Sequence, residues 1–139
     1  MGWIGWSLLS AFFAAVTAVT AKVGVDRVDA NLATAVRTSV VFVFAWLVAL
    51  LAGHRGDAQP FSGKTWAFLV ISGLATGLSW ICYFHAMQMG EASRVAPVDK
   101  LSVALTIVLA VVFLGEPLTW TKALGGGLIV AGVITLTIK

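Results

Sequence analysis

Uncharged apolar runs of roughly twenty residues, separated by short polar clusters, recur along this chain. That length matches the roughly 20 helical residues needed to cross a hydrocarbon core of about 30 Å. Five runs can be marked: about 3–25, with Lys22 in its last turn; about 30–53, interrupted by Arg37; about 65–89, with no acid, Lys or Arg; about 95–114; and about 119–138. The clusters between them, "GVDRVDAN", "GHRGDAQPFSGK" and "MGEASR", collect Gly, Pro, Asn, Ser and most of the charges, as water-exposed turns require. "LGEPLTW" reads as a tight turn with Pro117 after Glu116. With no linker, low-complexity segment or internal repeat, the pattern predicts an all-α membrane protein in which residues 1–139 form one domain of five transmembrane helices.

Composition strengthens this reading. The chain is 60% hydrophobic and 11% charged, with a mean hydropathy of +0.99, and a soluble fold of this size has too little interior to hide so much apolar surface. Membrane lipid is therefore the expected surrounding. The net charge of +3 does not point to nucleic acid, because the nine basic residues are scattered along apolar segments and form no patch. The single cysteine, Cys82, excludes an intrachain disulfide and is expected to be a buried small apolar side chain. Lys22 is the first charge after the N-terminus, so the first run lacks the basic leader of a signal peptide and is expected to be retained.

Five spans place the termini on opposite sides. The N-terminal side then carries Arg55, Lys64 and Lys122, and the other carries Lys22, Arg27, Arg94 and Lys139. Orientation follows the Lys/Arg excess in short loops, and here there is almost none, so insertion in both directions is expected. Trp3, Trp6, Trp46, Trp66 and Trp120 fall toward one side, as interfacial anchors do. Trp80 is the exception, inside the third run, as either a core-packing residue or a ligand-stacking wall.

Candidate chemistry lies in the polar groups within the spans. Counted by helical rise, Lys22, Arg37, Tyr83, His85, Asp99 and Lys100 fall at similar depth, roughly 5–10 Å below one surface, where they could line a cavity entrance. Lys22 could equally snorkel to the headgroups, and His85 could be an interfacial histidine satisfied by backbone or water. Arg37 lies near the limit of its side chain's reach, which favours a bundle-facing role. In "RVAPVDKLSV", Pro97 suits the first turn of a helix beginning near Ala96 or Pro97, placing Asp99 beside free backbone N–H groups. An interrupted helix start inside a bilayer can also present those N–H groups, Asp99 and Lys100 to a cavity. Asp99 and Lys100 lie about 100° apart on a helix, so one is expected to pair with Arg37 while the other faces the cavity.

Gly73 and Gly77, and Gly125, Gly127, Ala131 and Gly132, have spacings that let helices approach closely, and helix contact is expected at both. "GGG" has no preceding strand and no nucleotide-binding spacing. His54 and His85 are far apart and there is one cysteine, so no metal, cofactor or nucleophile constellation is expected, and no enzyme.

"SGLATGLSWICYFHAMQMGEASRVAPVDKLSVALTIVLAVVFLGEPLTWTKALGGGLIVAG" resembles the EamA domain of the drug/metabolite transporter superfamily. "KVGVDRVDANLATAVRTSVV" resembles the first-to-second helix segment of its short single-domain members. The more specific signature is "Pro-x-Asp-Lys-Leu-Ser" followed by "Phe-Leu-Gly-Glu-Pro-Leu-Thr". The resemblance implies an integral protein of a prokaryotic plasma membrane that exports or exchanges small metabolites or drugs. It also implies one half of a ten-helix transporter fold whose two five-helix halves have opposite orientation. One half alone lacks half a pathway, and an antiparallel homodimer working by alternating access is the natural repair, with a parallel dimer or a different partner chain as the alternatives. The related small multidrug-resistance proteins rely on a glutamate in helix one, and this first run has no acid, which argues against proton-coupled export of lipophilic cations.

Lys22, Arg37 and Lys100 outnumber Asp99 within the spans, which favours an anionic or zwitterionic solute. Arg37 and Lys100 are expected to bind its anionic group, Asp99 to hold one of them or take up a proton, and Trp80 and Tyr83 to form apolar walls. The rival reading is a non-transporting membrane subunit that scaffolds or regulates a partner protein. An enzyme acting on lipid has no motif here.

Overall fold

A computed structural model describes residues 2–53 and 61–138. His54, Arg55 and Lys139, and most of the predicted turn between the second and third runs, lie outside the described residues. The elements are all helical: α1 (Trp3–Val25), α2 (Ala30–Ala52), α3 (Gly63–Met89), α4 (Ala92–Asp99), α5 (Leu101–Leu114) and α6 (Trp120–Thr137). With α4 and α5 taken as one interrupted span, five helices are long and apolar enough to cross a membrane. A helix satisfies every interior backbone group within itself, which is why such apolar runs adopt it in a medium without water.

Polar side chains mark the helix starts. The Asp29 carboxylate accepts the Leu32 N–H at 2.9 Å to open α2. Ser62 Oγ accepts the Thr65 N–H at 3.1 Å at the start of α3, and Thr119 Oγ1 accepts the Lys122 N–H at 3.3 Å at the start of α6. The α5–α6 turn is tight, as predicted. Gly115 ends α5 in the left-handed region at φ 67°, ψ 22°, a conformation that is cheap for glycine alone, and its N–H and that of Glu116 both turn back to the Ala110 carbonyl. Lys122 Nζ then closes the turn by donating to Glu116 Oε2 at 3.0 Å and to the Pro117 carbonyl at 3.2 Å.

The fourth span departs from the sequence-based expectation. The helix starts at Ala92, not near Ala96, so Pro97 lies inside α4 and Asp99 is its last residue rather than part of a first turn. Glu91 makes no side-chain cap bond and pairs instead with Arg94 Nε at 3.3 Å, which leaves the start without a recognisable cap signal. The interruption falls at Lys100, where the backbone bonds tighten to the three-residue spacing: Lys100 N–H to the Pro97 carbonyl at 3.0 Å, and Val103 N–H to the Lys100 carbonyl at 2.9 Å.

The chain divides into two compact units, Met1–Val19 with Met89–Lys139, and Thr20–Gln88. In the first, α4 and α5 pack on α6. Gly126 is the close contact there: a methyl group at that position would sit 3.3 Å from Ile107 Cδ1. The helix contacts expected at Gly73, Gly77, Gly125, Gly127 and Gly132 are not made, since nothing lies within 4 Å of where their side chains would begin. Spacing identifies a face that permits close approach, but it does not say whether a neighbour arrives from the same chain.

In the Thr20–Gln88 unit the buried side chains gather at one end: Val25 and Ala30 beside the α1–α2 turn, Thr34, and Phe84 and Met87 near the end of α3. The long apolar faces of the helices are exposed, including Phe42, Phe68 and Leu74. Water would not tolerate such surface, but acyl chains match it. For the same reason Cys82 is exposed rather than buried as expected, because a lipid-facing position is as apolar as a core.

Candidate functional site

Two polar contacts fasten the α1–α2 turn to the end of α3. Lys22 Nζ donates to the Met87 carbonyl at 2.6 Å. Gln88 Nε2 donates to the Val25 carbonyl at 3.1 Å and to the Val28 carbonyl. A lysine at this place meets the negative end of the α3 dipole and one of its last carbonyls. Sequence reasoning missed Gln88, whose only signal was a polar amide in the last turn of an otherwise apolar helix.

Arg37 lies two turns into α2, half-buried, facing α3. Its guanidinium carbon stands 4.3 Å from the centre of the Trp80 ring and 5.5 Å from that of Phe84. Trp80 and Phe84 are four residues apart on α3 and so share a face, which makes a two-ring platform for a planar cation. Within Thr20–Gln88, no carboxylate among the described residues forms an ion pair with Arg37. Tyr83 is half-buried beside Phe84, with ring centres 6.4 Å apart, while His85 is exposed. Phe84 was not singled out from sequence, because a phenylalanine in an apolar run carries no distinguishing mark.

Next to this platform, α2 and α3 enclose a groove of about 430 Å³. Thr38, Val41, Phe42 and Ala45 form its α2 wall. Leu69, Gly73, Gly77 and Trp80 lie on the α3 side, so Trp80 serves both the platform and the groove.

Asp99 and Lys100 belong to the other unit. They pair with each other: Lys100 Nζ donates to Asp99 Oδ2 at 3.2 Å across the α4–α5 interruption. Asp99 ends α4 and Lys100 lies at the interruption, where the backbone bonds shorten to three-residue spacing. The structure thus gathers Lys22, Arg37, Trp80 and Tyr83 within one unit and Asp99 and Lys100 within the other.

Five spans long and apolar enough to cross a bilayer, one carrying a half-buried arginine and one interrupted, define an integral membrane protein. Comparison with known proteins gives the family: residues 1–138 match the EamA-like transporter family. The chain belongs to that family, and is accordingly a membrane transporter rather than an enzyme. It is 45% identical to an "uncharacterized transporter in cobO 3'region" from Sinorhizobium sp over 136 residues, 98% of this chain and 96% of that protein. It is 39% identical to the multidrug resistance protein Mmr of Mycobacterium tuberculosis over 98 residues, covering 69% of this chain and 88% of Mmr. It is 28% identical to GDP-fucose transporter 1 of Dictyostelium discoideum over 140 residues, covering 94% of this chain and 38% of that longer protein. No solved structure matches the chain.

Proposed function

We propose that the protein exports or exchanges a small anionic or zwitterionic metabolite by alternating access, as an antiparallel homodimer in which each chain supplies one five-helix half. The observation that carries the solute class is Arg37, a cation inside a membrane span held on aromatic faces rather than on a carboxylate. Rings support a guanidinium without neutralising it, so its N–H fork remains able to take a carboxylate or phosphate. Trp80 and Tyr83 form the walls of this station. Lys22 and His85 are further polar groups of the same unit, and the Asp99–Lys100 pair is a second charge station whose internal bond exchanges for solute or a proton.

The relatives' names point in two directions. A transporter named for GDP-fucose is named for an anion, whereas a multidrug resistance protein is named for drugs at large. The sequence of α1 favours the anion, because it contains no acid to trade against a lipophilic cation. The near balance of Lys and Arg between the two sides supports insertion in both orientations, and two opposed halves restore the second half of the path.

Flux in proteoliposomes tests the proposal. Organic anions are expected to exchange, Arg37→Gln to lower that exchange at least about 100-fold, and Arg37→Lys to restore part of it, consistent with the loss of a charge-assisted contact. Cations moving while anions are ignored would overturn the solute class.

A further inference from the structure

We propose that the transported anion is amphipathic, with a compact charged head on Arg37 and an apolar tail lying in the groove between α2 and α3. This rests on the Arg37 reading above and adds the tail. The groove's volume, about 430 Å³, is that of a small-ligand site, and Trp80 closes the end at which the guanidinium lies on the same ring. Positions 37, 41 and 45 follow one another at four-residue spacing on α2, so Arg37 continues the groove's wall beyond its end. From Leu69 to Trp80 the α3 wall runs about 16 Å by helical rise, room for an extended chain rather than a compact polar body.

The lining is mostly apolar, with Thr38, Ser72 and Thr76 its hydroxyl-bearing residues. Thr38 Oγ1 donates its proton to the Thr34 carbonyl at 2.7 Å, and Thr76 Oγ1 donates to the Ser72 carbonyl at 2.9 Å. Both hydroxyls are therefore turned to their own helices and offer no donor to a guest. Gly73 and Gly77 form the floor. Glycine is unfavourable inside a helix, and here no close contact within the chain compensates for it, since nothing lies within 4 Å of either missing side chain. The space they leave serves something outside the chain. Among the spans of a second copy, α1, α2, α3 and α6 contain no acid, and the acid of the α4–α5 span, Asp99, is already paired with Lys100, so none of them seated in the groove brings the guanidinium an unpaired carboxylate. A tail ending in an anionic head satisfies both the apolar walls and the cation.

Alkanesulfonates from ethanesulfonate to octanesulfonate test this, bound to the purified dimer in nanodiscs, with Arg37→Gln discs subtracted to remove partitioning into lipid. Affinity is expected to rise about fourfold per methylene until the groove is full. Gly77→Leu, whose added side chain enters the groove, is expected to flatten that series by weakening octanesulfonate far more than ethanesulfonate. Equal binding of short and long members, or an unchanged series in Gly77→Leu, would overturn the tail while sparing the Arg37 station. Absence of any sulfonate binding would overturn both. If Gly77→Leu instead dissociates the dimer, as read by crosslinking, the groove is an interface between copies and the inference fails.

Discussion

The two units handle their ionisable groups in opposite ways. In the unit containing α4, α5 and α6, charges are neutralised by neighbours close in sequence: Glu91 with Arg94, Asp99 with Lys100, and Glu116 with Lys122. In the Thr20–Gln88 unit, Lys22 bonds a backbone carbonyl, and Arg37 lies on two rings, partners that orient its guanidinium without cancelling its charge. Glycine marks a local contrast: Gly126 of α6 meets Ile107, whereas Gly73 and Gly77 of α3 open onto a groove, and Gly125, Gly127 and Gly132 of α6 likewise meet nothing within 4 Å. One unit pairs its charges internally, and the other keeps a cation beside a groove in reserve. A carrier needs such a reserve, because a charge already neutralised by the protein has little to offer a solute.

The largest expected effect breaks this contrast at the glycines. Gly126→Val should overpack α6 against Ile107 and destabilise the fold by about 1–3 kcal/mol. Gly73→Ala, with open space before it, should stabilise by about 0.5–1 kcal/mol through the helix propensity of alanine. Reversible unfolding in mixed micelles measures both. Equal losses at the two positions would mean that α3 is as tightly packed as α6, and the distinction between the units would fall.

A smaller effect is expected at Lys22. Lys22→Met keeps the apolar stem but removes the ammonium from the Met87 carbonyl, costing about 1–2 kcal/mol for a partly exposed charge-assisted bond. Retained stability together with lost anion exchange would reassign Lys22 from fastening the end of α3 to handling solute.

The parts of this molecule legible from sequence are those fixed by one dimension. Apolar run length gave five spanning helices, and Pro117 after Glu116 gave the α5–α6 turn, because span length and turn chemistry are local requirements. The motifs around Pro97 and Glu116 pointed to the family for the same reason. Arg37 was recognisable as a costly charge in a span, but its platform was not, since Phe84 resembles any apolar residue until α3 is laid beside α2. The start of α4 was misplaced because Ser93, Arg94 and Pro97 have loop composition, and Glu91, paired with Arg94, makes no side-chain cap bond. The glycine stripes were read as contacts because in lipid the same small residues serve a neighbouring helix, a second chain or a guest, and spacing alone does not distinguish these.

The smallest expected effect concerns the pair at the α4–α5 interruption. Lys100 and Asp99 keep 55% and 35% of their side-chain surface exposed, and an exposed pair is worth about 0.2–1 kcal/mol. Asp99→Asn should therefore change stability by less than about 1 kcal/mol, and the double variant Asp99→Asn with Lys100→Gln should match the sum of the singles to within about 0.5 kcal/mol. That outcome would make the pair a labile one, cheap to open when a solute or proton competes for either partner. A loss of about 3–5 kcal/mol in Asp99→Asn, recovered in the double variant, would be the signature of a pair desolvated in the assembled protein, where removing one partner strands the other. The charge of this unit would then be sealed by assembly, and the transport role assigned to Asp99 and Lys100 would pass to Arg37 alone.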